Sequence, residues 1–280
     1  MNSQADKSTS FDDKPINLPK ALIPENLSLN ILYEDESIIV IDKPAGMVVH
    51  PSVHHFNGTL TNGLLYHFGK LPSLYGDPLQ SGLVHRLDRG TSGVLIAAKN
   101  ESAITELARQ FYHHSIRRIY HCLCWGIPNR CSGIIKYNLG RLRSPNQNCK
   151  TIVYKDTENG KKAVTHFEVL EDLTFVSLVK CTLETGRTHQ IRAHMSHIGH
   201  PLYNDHVYDG NKIPSSFEKK DGSFKNFVKK GLTATRWYVL HAHTLGFQHP
   251  KTKKHMVFEV VRPRVFENLL LSWRNYSMTS

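Results

Sequence analysis

The stretch SGLVHRLDRGTSGVLIAAKN, residues 81–100, holds a single carboxylate, Asp88, between two guanidinium groups, Arg86 and Arg89. An apolar run precedes the charged centre, and Thr91-Ser92-Gly93 follows it as a turn. A second apolar run, Val94 to Ala98, leads to Asn100. The pattern reads as the junction of two strands running into a helix. Asn100 suits a helix N-cap, because its short side chain accepts from the first unpaired backbone N–H groups, and Glu101 suits the positive helix end. Ala103, Ile104, Leu107, Ala108 and Phe111 then fall on one helical face through about Tyr112. An Asp among bases is by default a solvated ion pair of little energetic weight. The rest of the chain decides whether Asp88 is more than that.

Outward from this segment, strand signals dominate. Ser37 to Ile41 reads as a buried strand, and Lys43-Pro44-Ala45-Gly46 suits a turn with Pro at its second position and Gly at its last. Arg118 to Trp125 is rich in β-formers. Its alternation puts Tyr120, Cys122 and Cys124 on one face and Ile119, His121, Leu123 and Trp125 on the other. Strands are expected at 163–170 and 174–183, joined through Glu171-Asp172, and at 238–247 and 255–261. Many strands joined by short turns, with few helices, predict an α+β fold: a mixed, largely antiparallel sheet with flanking helices. Residues 1–27 read as a polar tail and 28–275 as one domain. Within it, 209–231 is a Lys-rich basic insertion with one short helix near Phe224–Lys230.

The bulk composition narrows the partners. Of 280 residues 40% are hydrophobic, and 35 Lys+Arg against 24 Asp+Glu give a net charge of +11. That balance favours a polyanion, nucleic acid first. Five cysteines without a C-x-x-C pair support neither a disulfide framework nor a zinc knuckle, so reduced thiols and a cytoplasmic location are expected. The N-terminal residues lack an apolar segment of the secretory kind, and no apolar run approaches membrane-spanning length, so no membrane association is expected. His189, His194, His197 and His200 invite a metal reading, but the spacing is not H-E-x-x-H, and Gly199 and Pro201 end any helix there. Gly90-Thr91-Ser92-Gly93-Val94 lacks the second glycine of a nucleophile elbow, and neither G-x-G-x-x-G nor a P-loop occurs.

HRLDRGTSG at 85–93 resembles the signature of the RluA family of pseudouridine synthases. YEDESIIVIDKPAGMVVHP (33–51), RRIYHCLCWG (117–126), KKAVTHFEVL (161–170), TGRTHQIRAHMSHIGHPLYND (185–205) and LHAHTLGF (240–247) follow the family's order. The resemblance implies a sheet fold with a central RNA-binding cleft. It also implies isomerisation of uridine to pseudouridine in rRNA or tRNA, without cofactor or metal. By position Asp88 matches the catalytic aspartate, Arg187 the arginine that pairs with it, and Tyr120 the tyrosine that stacks on the target base. Ile191 matches the apolar residue on the base's other face, and Arg86 the arginine that fills the gap left by the flipped uridine. His85, Thr91 and Arg192 complete the expected substrate-binding set. Arg89 receives no role. About 30 residues precede the first strand, too few for the S4-like module of many relatives, so substrate selection is expected to rest on the catalytic domain and its insertion. A monomer with no obligatory protein partner is expected. The alternatives are a non-catalytic RNA-binding protein or RNA chaperone on the same fold, and a nucleoside or glycoside hydrolase, which would need a second acid.

Overall fold

The structure, a computed structural model, describes residues 21–52, 55–74, 76, 78–142, 150–155 and 158–279. Two neighbouring strands near one edge of the sheet, β2 (Ile38–Lys43) and β3 (Ser92–Ala98), are buried almost throughout because both their faces are covered. Among the described residues the sheet has ten strands. Its other strands are β1 (Ile31–Glu34), β4 (Arg117–Trp125), β5 (Ser132–Arg141), β6 (Thr151–Tyr154), β7 (Lys161–Asp172), β8 (Val176–Leu183), β9 (Leu240–Gln248) and β10 (His255–Glu259). The order is β1-β2-β3-β9-β4-β8-β7-β5-β6, with β10 paired to the free stretch of β9. Among the described residues only β3–β9 is parallel, so the expected mixed, largely antiparallel α+β sheet is what forms.

The β3–β9 junction depends on one glycine. Gly93 pairs with Ala242 at a φ of +113°, and a Cβ there would lie 2.1 Å from the Ala242 carbonyl oxygen. Ser92 and Gly93 therefore begin β3 rather than forming a turn. Residues 81–90 before them are a loop with a single bridge, Leu83 to Ala97, not a second strand.

Among the described residues five α-helices flank the sheet: α1 (Leu60–Phe68), α2 (Glu101–Tyr112), α3 (Gln190–His197), α4 (Gly222–Ala234) and α5 (Arg264–Thr279). Asn100 caps α2, its side chain accepting from the Ala103 N–H at 2.9 Å. Thr59 and Asn62 cap α1 reciprocally. The alternation of β4 separates two cores. Cys122 and Cys124 pack with Val179, Cys181, Ile191 and Met195, while Leu123 and Trp125 pack with Phe224, Val228, Leu270 and Trp273 of α4 and α5.

The 209–231 segment is longer in its helix than expected. α4 is capped by Asp221, buries Phe224 and Val228, and stacks Phe227 on Tyr276 of α5 at 4.3 Å. The β7–β8 hairpin turns at Leu173–Phe175, two residues beyond the Glu171-Asp172 reading. Of the expected tail, 1–20 lie outside the described residues. Residues 21–29 lie against α1, where the Glu25 N–H donates to the Asn62 carbonyl at 3.1 Å and Asn62 donates to the Ile23 carbonyl at 2.7 Å.

Candidate active site

The loop before β3, the end of α2, the middle of β4, the end of β8, the segment entering α3 and the start of β9 enclose a cleft of about 450 Å³. It gathers every residue the sequence singled out: His85, Arg86, Asp88, Thr91, Tyr120, Arg187, Ile191 and Arg192.

The loop carrying Asp88 is fixed from beneath. Thr91 N–H donates to the Asp88 carbonyl at 3.0 Å, Gly46 N–H donates to the Arg89 carbonyl at 2.7 Å, and the Thr91 hydroxyl lies 3.2 Å from the Tyr238 hydroxyl. Lys43, fully buried, donates from Nζ to the carbonyls of Pro44 at 3.0 Å and Met47 at 2.9 Å, and reaches that of Arg89 at 3.5 Å. Burial pushes its pKa down to about 7, while the charges of Asp88 and Asp42 act in the opposite sense. The Lys-Pro-Ala-Gly turn is thus a clamp on the loop that carries Asp88.

The carboxylate of Asp88 faces Arg192 Nη1 at 3.4 Å and His189 Nε2 at 3.7 Å. Arg192 is itself held. Its Nε and Nη2 donate to the two oxygens of buried Asp205 at 2.7 and 2.9 Å, and its guanidinium lies over Tyr238 at 4.1 Å and Tyr208 at 5.2 Å. A bidentate pair with two aromatic neighbours leaves one nitrogen aimed at Asp88. Burial alone would lower the Arg192 pKa, but the hydrogen bonds to Asp205 and the nearby carboxylates raise it, so the group stays cationic.

Arg187 does not take the place expected of it. Its Nε donates to the Lys162 carbonyl at 3.1 Å, and among the described residues the basic side chains within 4 Å of Asp88 are Arg192 and His189. The cause is local backbone. His189 adopts a left-handed conformation, φ 55° and ψ 20°, which turns the chain sharply into α3. Gln190 secures the bend: its Oε1 accepts from Arg187 N–H at 3.0 Å and the Thr185 hydroxyl at 2.8 Å, and its Nε2 donates to the Val164 carbonyl at 3.0 Å. Arg187 is left before the bend at the cleft wall, and Arg192 follows it in the first turn of α3.

Tyr120 is half-buried in the cleft, its phenol pKa raised by burial and further by the Asp88 charge, against an opposing effect of Arg118. Ile191, in the same lining, is 4% exposed and joins the core under β4. His85 accepts from the Ile96 N–H at 3.1 Å and stacks on Phe111 at 4.6 Å. Burial, with Arg118 adding to it, takes its pKa down to about 3, so it is a neutral wall. Arg86 is exposed at the rim, 3.3 Å from His50 Nε2.

The sequence reading left out Arg118, His189 and Asp205. Arg118 is 7% exposed, donates from Nη2 to the Glu184 carbonyl at 2.9 Å and lies over Phe111 at 5.7 Å. Its signal was the two-residue period that puts it on the face of Tyr120. Asp205 is the first carboxylate after Glu184 in a stretch of Arg and His. Among the described residues no group of His, Cys, Asp and Glu converges as metal ligands.

Comparison with known proteins supports the same reading. Residues 37–197 match the family described as RNA pseudouridylate synthase. A protein of Chlorobaculum parvum named "Uncharacterized RNA pseudouridine synthase" is 41% identical over 89% of this chain and 75% of that one. The "Ribosomal large subunit pseudouridine synthase D" of Zymomonas mobilis is 40% identical over 94% of this chain and 80% of its own. In fold, the chain superposes on human RNA Pseudouridylate Synthase Domain Containing 4 with a TM-score of 0.67 at 22% identity, covering 88% of this chain and 93% of that one. A single acid facing a fixed arginine, in a cleft of this fold and among motifs in the family's order, leads to one assignment: the chain belongs to the RNA pseudouridylate synthase family, enzymes that isomerise uridine to pseudouridine within RNA.

Proposed function

We propose that this pseudouridine synthase modifies large-subunit ribosomal RNA and that Asp88 is its catalytic group. The observation that carries the reading is that Asp88 is the single carboxylate among the residues lining the cleft, with its partner Arg192 fixed by a second, buried acid. One acid does not suit hydrolysis of a glycosidic bond, which ordinarily uses two carboxylates in separate roles. It suits an isomerisation in which no water is consumed. The N1–C1′ bond of the uridine breaks, the uracil turns within the cleft, and C5 bonds to C1′. The proton on C5 is then lost, and the freed N1 ends protonated, so the product is an isomer of the substrate.

In this reading Asp88 acts at the sugar, aimed by Arg192. Tyr120 stacks on the uracil and Ile191 closes the opposite face. The exposed Arg86 fills the space vacated in the RNA when the uridine flips out, offsetting unstacking that costs a few kcal/mol. His85 and Thr91 shape the pocket, and Arg187 contacts RNA at its wall. The ribosomal target is supported by the name of the Zymomonas mobilis relative. A cytoplasmic site of action is in keeping with the free, unbridged Cys122, Cys124 and Cys181.

The target is tested by mapping pseudouridines in large-subunit rRNA from a strain lacking this protein. Loss of one or more sites is expected, with recovery by the wild-type gene and not by Asp88→Asn. An unchanged rRNA map with sites lost from tRNA would move the substrate to tRNA.

A further inference from the structure

Arg89 stands next to Asp88 in sequence, but its side chain makes no ion pair with that carboxylate; its Nη1 lies 2.7 Å from His55 Nε2. Its Nε donates to the Gly46 carbonyl at 3.2 Å, and its guanidinium lies over the Trp237 ring, 4.9 Å from the centroid. Arg236, exposed, lies over the same half-buried ring at 5.6 Å. Two cations thus share one indole, and among the described residues neither has a carboxylate within 4 Å. Other exposed cations do have such partners: Lys251 pairs with Glu36 at 2.8 Å and Lys253 with Glu106 at 2.6 Å. Like charges gathered on one ring repel unless an anion lies between or over them.

Position identifies the anion. Trp237 precedes Tyr238, whose ring lies under Arg192 and whose hydroxyl meets Thr91. The stack therefore adjoins the cleft without lining it. In the chain it follows directly on α4, whose exposed Lys225, Lys229 and Lys230 take part in none of the ion pairs of the described residues. Guanidiniums over an aromatic ring, beside a helix carrying unpaired lysines in the adjoining sequence, match the phosphates and bases of a nucleic acid strand.

We infer that the Arg236–Trp237–Arg89 stack is a second RNA contact, gripping the phosphodiester backbone beside the uridine held in the cleft. It rests on the reading of the cleft as the uridine site. Arg89 and Arg236 supply the charge, and Trp237 keeps their side chains extended over a flat surface.

The test is binding of the full-length protein to a labelled single-stranded RNA of roughly 20 nucleotides, long enough to span several contacts, measured by anisotropy from about 50 to 200 mM salt. Arg236→Gln is expected to reduce the slope of log K against log salt by about 0.7, the value for one lost phosphate contact on a single strand. Arg236→Lys restores the slope, since it restores the charge. Trp237→Ala weakens binding about two- to fivefold, the range of an exposed cation–π contact. Lys254→Gln, at the opposite end of β9 from the cleft, leaves both slope and affinity as in wild type. Wild-type affinity and slope in both Arg236→Gln and Trp237→Ala would overturn the proposal. So would an equal loss in Lys254→Gln, which would mean general attraction to a basic protein. Tritium release from uridine-labelled RNA by the wild type is run alongside: its absence would count against the catalytic reading and leave the binding comparison standing.

Discussion

At the scale of single residues the site is a chain of restraints ending on one carboxylate. Asp205 fixes Arg192, and Arg192 presents Nη1 to Asp88 at 3.4 Å. At that distance and an effective dielectric near 20 the attraction is roughly 5 kcal/mol before desolvation is subtracted, enough to hold a carboxylate in one orientation. Removing the outer restraint should therefore act on both stability and turnover. Asp205→Asn is expected to destabilise the fold by about 3 kcal/mol, because it leaves a buried guanidinium half-paired, and urea denaturation reads this directly. Arg192→Lys keeps the charge but loses the fork that meets Asp205 and Asp88 together, so tritium release should fall about a hundredfold with the fold intact. Wild-type turnover in Arg192→Lys would mean that a point charge suffices. This scale also shows where sequence reading stopped. Arg187 and Arg192 lie five positions apart in one motif, and nothing in residue type tells which meets Asp88. The left-handed turn at His189 decides it, and a non-glycine residue with positive φ leaves little trace in a sequence.

At the scale of elements, what had a local signal was legible. The Asn100 cap and the apolar face from Ala103 to Phe111 gave α2 with its correct start, and the alternation of β4 assigned its two faces to the two cores they occupy. Asn100→Ala should cost about 1 kcal/mol in thermal or urea unfolding, as for a typical N-cap. The loop before β3 was misread as strand and turn because its geometry comes from a non-local contact, the parallel pairing of Gly93 with Ala242. A methyl group there meets the carbonyl at 2.1 Å. Gly93→Ala is expected to destabilise by more than about 3 kcal/mol, through strain and steric overlap together, and to lower activity by shifting the Asp88 loop. Full stability and activity in that variant would contradict the role given to this junction. Helix α5 was missed although Phe266, Leu269, Leu270 and Trp273 recur at helical spacing, so there the signal was present and unread. The short edge strands β1 and β6 offer too few residues for a period to be seen.

At the scale of the whole molecule, the excess of positive charge and the fold class were both visible in composition and strand pattern, whereas the convergence of separate segments on one cleft was implied only by the family resemblance. Buried histidines add a property of the whole chain. His194 and His241 are almost fully buried, and burial takes each pKa from 6.5 down to about 4. Both are neutral in the fold. Between about pH 6.5 and 4 the unfolded chain binds protons that the native state does not, so stability is full above 6.5 and falls as pH drops towards 4. The loss is of the order of 3 kcal/mol per histidine by pH 4, and melting temperature against pH measures it; a flat profile over that range would show the rings to be solvated. The central claim, that Asp88 carries the isomerisation, is tested most directly by tritium release from RNA labelled at uridine C5, wild type against Asp88→Asn, with free uracil measured in the same reaction. The account predicts tritium release and no free uracil from the wild type, and loss of release in the variant. Equal release by both proteins, or free uracil from the wild type, would contradict it.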